Sequence, residues 1–390
     1  MPYNEKSIKP LTARDYEQAI QFLNRTFNYQ RENGFEYFLS GLYKPTDELM
    51  NCIYAIWEGD KLIATLGIYP IDWCLYDQKL RIGGVGGIAV DPDWQGKGLM
   101  GLMLRFAIKQ MKRDGYQLSY LAGLRDRYRR YGWEVCGCQN VARFTPSCFK
   151  RIRAADSQAD SLKFRSINQN SETIARLYEI YCQQKIRCER PADRFEDFLR
   201  HGALEPYVAF DSSDQPIGYA TIDSNRTSIK ELVLVDNKQQ LAALSSFQNE
   251  IQFDDLVLYF RPWDMEYLRQ LGTCAESITL QSSGNWQIFD WLATLSTLLN
   301  ARCRISHMID GKVNIEISDI GRRYSLSVAH NHASVSLTEE EPQLTATSEQ
   351  WMRILFGPTQ PSGVISIPYN ARILDAWCPL PLSLMPIDHV

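Results

Sequence analysis

The run GGIAVDPDWQGKGLMG at 86–101 constrains this chain more than any other stretch. Apolar residues up to Val90 predict a strand, and the apolar periodicity of 99–114 predicts a helix ending before Gly115. The turn between them carries Gly96 and Gly98. The first N–H groups of a helix have no partner inside it, and the aligned peptide dipoles add about half a positive charge there. With no side chain at Gly96 or Gly98, an anion can approach the main chain closely. The joint reads as a cradle for a pyrophosphate. It is neither the G-x-x-x-x-G-K-[ST] of a P-loop nor the G-x-G-x-x-G of a dinucleotide-binding turn. Glycine content alone is also compatible with a plain strand–turn–helix joint that binds nothing.

The flanking segments build a mixed sheet around this joint. Thr12 can cap a helix whose stripe is Tyr16, Ile20, Leu23 and Phe27, and a second helical pattern runs near 32–42. CIYAIWE (52–58), Gly59-Asp60 and KLIATLGIYPI (61–71) predict a hairpin. LRIGGVGGIAV (80–90) is a strand rich in glycine, where strands avoid it. Residues 117–124 are strand-like, and 133–144 supply one or two strands more. The class is α+β, in the order β-α-α-β-β-β-α-β-α-β.

Residues 163–272 repeat that order. At the place matching the cradle they read ELVLVDNKQQLAAL, with no glycine at the helix entrance. Asn237, Lys238 and Gln239 would crowd a pyrophosphate, so this copy is expected to serve as scaffold or pocket wall. From about Asn285 the pattern changes to a helix (WQIFDWLATLSTLLN), three period-two strands and a closing helix before Gly357-Pro358. The expected division is 1–150, 151–284 and 285–390.

Composition bounds the partners. With 45% hydrophobic and 23% charged residues, 390 residues can bury several cores. A net charge of -4 gives no general pull toward nucleic acid or anionic lipid. No apolar run approaches the roughly 18–20 residues of a membrane span, and the first residues lack an apolar signal segment. The expectation is a cytoplasmic protein without nucleic-acid or membrane partners. Ten scattered cysteines then read as reduced thiols, and Cys136 and Cys138 as strand packing. His330 and His332 read as polar surface, so no metal is expected. No cysteine sits in a recognisable Cys–His arrangement, which argues against a covalent acyl-enzyme.

Gln95-Gly96-Lys97-Gly98-Leu99-Met100 resembles motif A of the GCN5-related N-acetyltransferases (the GNAT superfamily), Q/R-x-x-G-x-G/A, with Met100 where a small residue is usual. The element order of 7–145 is similar too. Tyr128-Arg129-Arg130-Tyr131-Gly132-Trp133 resembles the signature Y-x-R-[FY]-G-[WY] of that superfamily's "enhanced intracellular survival" branch. This resemblance implies tandem GNAT folds followed by a domain similar to sterol carrier protein 2. It also implies acetyl-CoA-dependent N-acetylation by direct attack of an amine, without a metal. The backbone of Gly96, Lys97, Gly98, Leu99, Met100 and Gly101 would hold the pyrophosphate. Ile88, Ala89 and Val90 would hold the pantetheine arm, with further contacts at Gly123 and Leu124. The family's general acid carries to Tyr128, although helical spacing alone does not separate it from Tyr131. The family's C-terminal carboxylate, acting as general base, carries to Val390, with His389 as an alternative.

The acceptor implied is an aminoglycoside or polyamine-like amine, or a protein lysine. Glu32, Glu36, Asp72 and Asp388 are acidic candidates to receive it. The resemblance further suggests a homo-oligomer, a hexamer or dimer. Two other readings remain at this point. One is a lipid carrier working through the C-terminal domain; the other is an acyltransferase with a longer acyl-CoA, resembling protein N-myristoyltransferase.

Overall fold

A computed structural model describes residues 3–29, 34–155, 159–167 and 170–390. The first sheet runs in the order Lys9–Pro10, Ile53–Glu58, Lys61–Leu75, Gln78–Val90, Leu118–Leu121, Gly284–Ile288, Glu134–Cys136. The hairpin at 52–71 forms as expected, because Gly59 takes the left-handed conformation its turn needs (φ +57°). Of the helix expected near 32–42, residues 32 and 33 lie outside the described residues, and 34–42 contain a single helical turn, Phe35–Phe38. Leu39 leaves helical geometry there, and Leu39, Leu42 and Tyr43 turn inward with Phe35, whose ring meets Tyr43 edge-on at 5.2 Å. Burial overrides the local helical pattern.

One strand pair in this sheet is parallel, Gln78–Val90 with Leu118–Leu121, in register from Ile82↔Leu118 to Val85↔Leu121. Beyond Val85 the two part. On the other side Gly67 opposes Gly86 but Thr65 opposes Ala89, so an extra residue bulges from Gln78–Val90. Gly87 takes up the irregularity at φ +57°. The gap so opened lies directly before the helix Leu99–Arg113.

The second sheet has the order Ser277–Gln281, Gln139–Phe144, Leu256–Phe260, Ser228–Leu234, Pro216–Asp223, Leu204–Phe210, Lys163–Ser166. It again contains one parallel pair, Ser228–Leu234 with Leu256–Phe260. Each copy lends a strand to the other. Gln139–Phe144 enters the second sheet, while Gly284–Ile288 enters the first between Leu118–Leu121 and Glu134–Cys136. Cuts at 150 and 284 miss this exchange. Gly137 (φ +76°) splits 133–144 into two strands of different sheets, and a Cβ there would lie 2.1 Å from Ser283 Oγ. Residues 285–288, expected at the start of a helix, are extended; the helix begins at Trp291, capped by Asp290.

A third sheet, His332–Leu337, Arg322–Ala329, Gly311–Ile317 and Leu344–Ala346, packs with the helices Trp291–Ile305 and Ser348–Phe356. One apolar core runs unbroken from Ile71, Trp73 and Trp286 of the first sheet to Leu298, Trp351 and Trp377. The ten cysteines are free thiols. Among the described residues no helix is long and apolar enough to cross a membrane, and no group of three or more His, Cys, Asp or Glu is placed to hold a metal.

Candidate active site

The helix Leu99–Arg113 starts from Gly98 at φ +76°, with no side-chain cap. Its first turn closes with Leu102 N–H donating to Gly98 O at 3.1 Å, so the N–H groups of Leu99, Met100 and Gly101 point out of the helix end. Gly96 is also left-handed (φ +74°), and a Cβ there would meet nothing within 4 Å. Lys97 Nζ rests 4.1 Å from the Trp94 ring. Nothing in this geometry obstructs an anion. In the second copy the matching helix, Gln240–Ile251, is preceded by Asp236, whose carboxylate accepts from Lys238 N–H at 2.9 Å. A negative side chain already stands at that helix entrance.

A cavity of about 440 Å³ opens where the bulged strand meets the second copy and the last residues of the sequence. Gly86, Ile88, Tyr128, His201, His389 and Val390 are among the residues around it. Two glycines make the seat of Val390. A Cβ at Gly84 would lie 2.8 Å from Val390 Cγ2, and one at Gly86 would lie 2.8 Å from the Val390 carboxyl carbon. The glycine-rich strand is thus shaped by what packs on it.

Tyr128 ends the one-turn helix Arg125–Tyr128 and is buried, its ring over Gly123 (φ +135°), where a Cβ would be 2.7 Å from Tyr128 Cε2. The chain then tightens into the 3-10 turn Arg129–Tyr131 and stops at Gly132 (φ +98°). That change separates the two tyrosines. Tyr128 faces the cavity, whereas the Tyr131 hydroxyl sits beside the first turn of Leu99–Arg113, 2.6 Å from where a Gly101 Cβ would be. Arg125 anchors the turn by donating to both carboxylate oxygens of buried Glu134, at 2.5 and 3.0 Å.

Of the other expected site residues, Ala89 is buried under the helix Tyr16–Phe27, Val90 packs on the first-sheet core, and Leu124 is exposed. The acidic candidates do not gather. Asp388 is bound to Arg190 at 2.8 Å, Asp72 lies 3.6 Å from Lys79, and Glu36 accepts from Asn24 Nδ2 at 3.3 Å. None of these three lines the cavity, and Glu32 lies outside the described residues. Sequence position could not reveal these pairings, which are all tertiary or across a loop.

The cavity also contains groups that the sequence did not mark: His201, Lys230, and the aromatics Phe27, Tyr29, Phe35 and Phe38. The one available signal was the aromatic density of 27–38. Burial pushes the His201 imidazole down to about 3, with the charges of His389 and Arg190 adding to the effect. Burial likewise lowers His389 to about 4, so both rings are neutral near pH 7. Both ring nitrogens of His201 and Nε2 of His389 are buried without a hydrogen-bond partner. The terminal segment is held by Arg190, which donates to Asp388 at 2.8 Å and to Glu231 at 2.8 and 3.1 Å.

Residues 7–136 match the family model for an acetyltransferase (GNAT) domain. The chain therefore carries an acetyltransferase domain in its first third, and it is an enzyme of that class; such domains use acetyl-CoA. No curated protein matches the chain. Solved structures resemble it over nearly its whole length. A GCN5-related N-acetyltransferase from Anabaena variabilis has a TM-score of 0.67 at 17% identity, covering 98% of this chain and 99% of that one. The corresponding protein from Kribbella flavida has 0.66 at 16%, covering 100% of both chains. Eis1 from Mycobacterium abscessus has 0.65 at 16%, covering 97% of both. At these identities the likeness establishes the fold.

Proposed function

We propose that this protein transfers the acetyl group of acetyl-CoA directly to an amine, in a ternary complex, as an enzyme of the "enhanced intracellular survival" type. The observation that carries the reading is the convergence of Tyr128, His389 and Val390 on one cavity beside the bulged strand. The uncapped helix start at Gly98–Gly101 suits the pyrophosphate, and the gap beyond Val85 suits the pantetheine arm along 88–90. Gly123 and Leu124 would border the arm as it reaches Tyr128.

Acetyl-CoA supplies a thioester carbonyl, and CoA must leave as a thiol. Tyr128, a phenol beside the cavity, donates the proton that the departing sulfur takes up. The amine nitrogen becomes an acidic ammonium once bonded to carbon, so a weak base suffices. The Val390 carboxylate over Gly86 is that base, and neutral His389 is the neighbouring alternative. The second copy, with Asp236 at its helix entrance, acts as wall and support. The division at 150 and 284, crossed by the two exchanged strands, belongs to the same reading. So do a C-terminal unit similar to sterol carrier protein 2, used for packing through the shared core, and a homo-oligomeric assembly.

The test follows CoA thiol release with acetyl-CoA and a panel of amines. Release with at least one amine supports the reading; acetyl-CoA binding without release from any amine overturns it. Longer acyl-CoA donors and lipid binding, run in parallel, separate the two other readings. Adding a few residues after Val390 should leave acetyl-CoA binding intact and depress turnover. Normal turnover of that extended protein removes the carboxylate from the mechanism.

A further inference from the structure

The cavity lining holds two unlike sets of groups. One is aromatic: Phe27, Tyr29 and Phe38 are each more than a third exposed there, unusual for large apolar side chains, and their rings cluster with Phe35 at centroid distances of 5.0 to 6.0 Å. The other set carries hydrogen-bond donors and positive charge, and it starts beside the aromatics: the Gly202 N–H, next to His201, donates to Phe38 O at 2.6 Å. Lys230 is half-buried on the strand Ser228–Leu234, its Nζ 4.2 Å from the Tyr259 ring, with no carboxylate partner among the described residues. His201 is 3% exposed, lines the cavity, and has two ring nitrogens without a partner. A buried polar side chain left unpaired costs about 1–3 kcal/mol, so an imidazole in this state is suited to a ligand that completes it.

Among the described residues around the cavity, the Val390 carboxylate is the only anionic group, against the cations of Lys230 and Arg127. A polyamine or aminoglycoside brings several positive charges and would meet Lys230 and Arg127 with no side-chain acid among the described lining residues to offset them. An aromatic ring against the Phe27–Phe38 cluster, and a carboxylate toward Lys230 and His201, would instead satisfy both sets of groups.

We propose that the acceptor is a monoamine on an aromatic skeleton bearing a carboxylate, its ring held by the 27–38 aromatics and its carboxylate by Lys230 and His201. This rests on the reading of the cavity as the acetylation site, but binding of the acceptor can be read without turnover. The probes are two matched pairs, tyrosine with tyramine and 4-(aminomethyl)benzoate with benzylamine, together with spermidine and an aminoglycoside. Affinity for the full-length protein is measured by calorimetry, and acetylation by CoA release.

A lost charge-assisted hydrogen bond corresponds to about 10–100-fold. The carboxylated member of at least one pair should therefore bind at least tenfold more tightly than the partner that lacks the carboxylate. Lys230→Met should close that gap and Lys230→Arg should restore most of it. Stronger binding of spermidine or the aminoglycoside overturns the proposal, as does the absence of a gap in both pairs, or a gap that survives in Lys230→Met. If the gap is present but no amine releases CoA, the acetylation reading fails and the ligand class stands. If only the polycations are acetylated, the reverse holds.

Discussion

Tyr128 and Tyr131 stand three residues apart in a run where helical spacing would put them on similar faces. A one-turn helix giving way to a 3-10 turn sends them to different places, Tyr128 to the cavity and Tyr131 to the start of Leu99–Arg113. Tyr128→Phe should lower kcat by about 10²–10⁴-fold while acetyl-CoA affinity changes little, the signature of a lost general acid. Tyr131→Phe should spare kcat relative to Tyr128→Phe. Steady-state kinetics of the two variants, with acetyl-CoA titrated by calorimetry, decide between them. Glycine acts at this scale as well. Gly84 and Gly86 look like liabilities in a strand until Val390 is seen packed where their side chains would be.

At the scale of elements, the strand–turn–helix unit 86–101 appears in two versions. In the first, Gly98 is left-handed and the helix start is open; in the second, Asp236 occupies the entrance. Gly98→Val should abolish acetyl-CoA binding, because a β-branched residue is strained at φ +76° and its side chain enters the cradle. Asn237→Ala, in the second copy, should leave the affinity within about twofold of the parent. Equal losses in a calorimetric titration of both variants would remove the division of labour. The hairpin 52–71, the helix 99–113 and most second-copy elements were readable because their periodicity agrees with their burial. Over 39–42 aromatic packing, and over 286–288 strand pairing, override the helical pattern of the sequence.

At the scale of the whole molecule, the reciprocal exchange of Gln139–Phe144 and Gly284–Ile288 makes each sheet depend on the other copy. Arg190, Glu231 and Asp388 add a buried polar junction between the second copy and the terminal segment. Arg190→Met should leave buried Asp388 without its cation and Glu231 with only Arg261, 3.5 Å away, and cost about 3–5 kcal/mol in urea unfolding at pH 7.

The cavity histidines give the molecule a pH dependence of definite sign. His201 and His389 are held at about 3 and about 4 when folded, against an ordinary value near 6.5. Both are neutral in either state above that value. As pH falls below it, the unfolded chain binds protons that the folded chain refuses, and stability drops until the folded values are reached. Unfolding free energies from urea titrations should therefore decline from about pH 6.5 toward pH 4, by a few kcal/mol in all. Replacing His201 by Phe should flatten that slope.

What the sequence by itself determined is local: the open helix entrance at Gly96–Gly98, the repeat that lacks it, and the hairpins. These depend on backbone conformation and periodicity, which short stretches encode. Only the tertiary structure decided that Gln139–Phe144 and Gly284–Ile288 change places, and that Asp388 is consumed by Arg190. It likewise decided that His201 and Lys230, from the second copy, share a cavity with Tyr128 and Val390. Those facts depend on which distant segments come to lie together, and burial and pairing across the whole chain choose that.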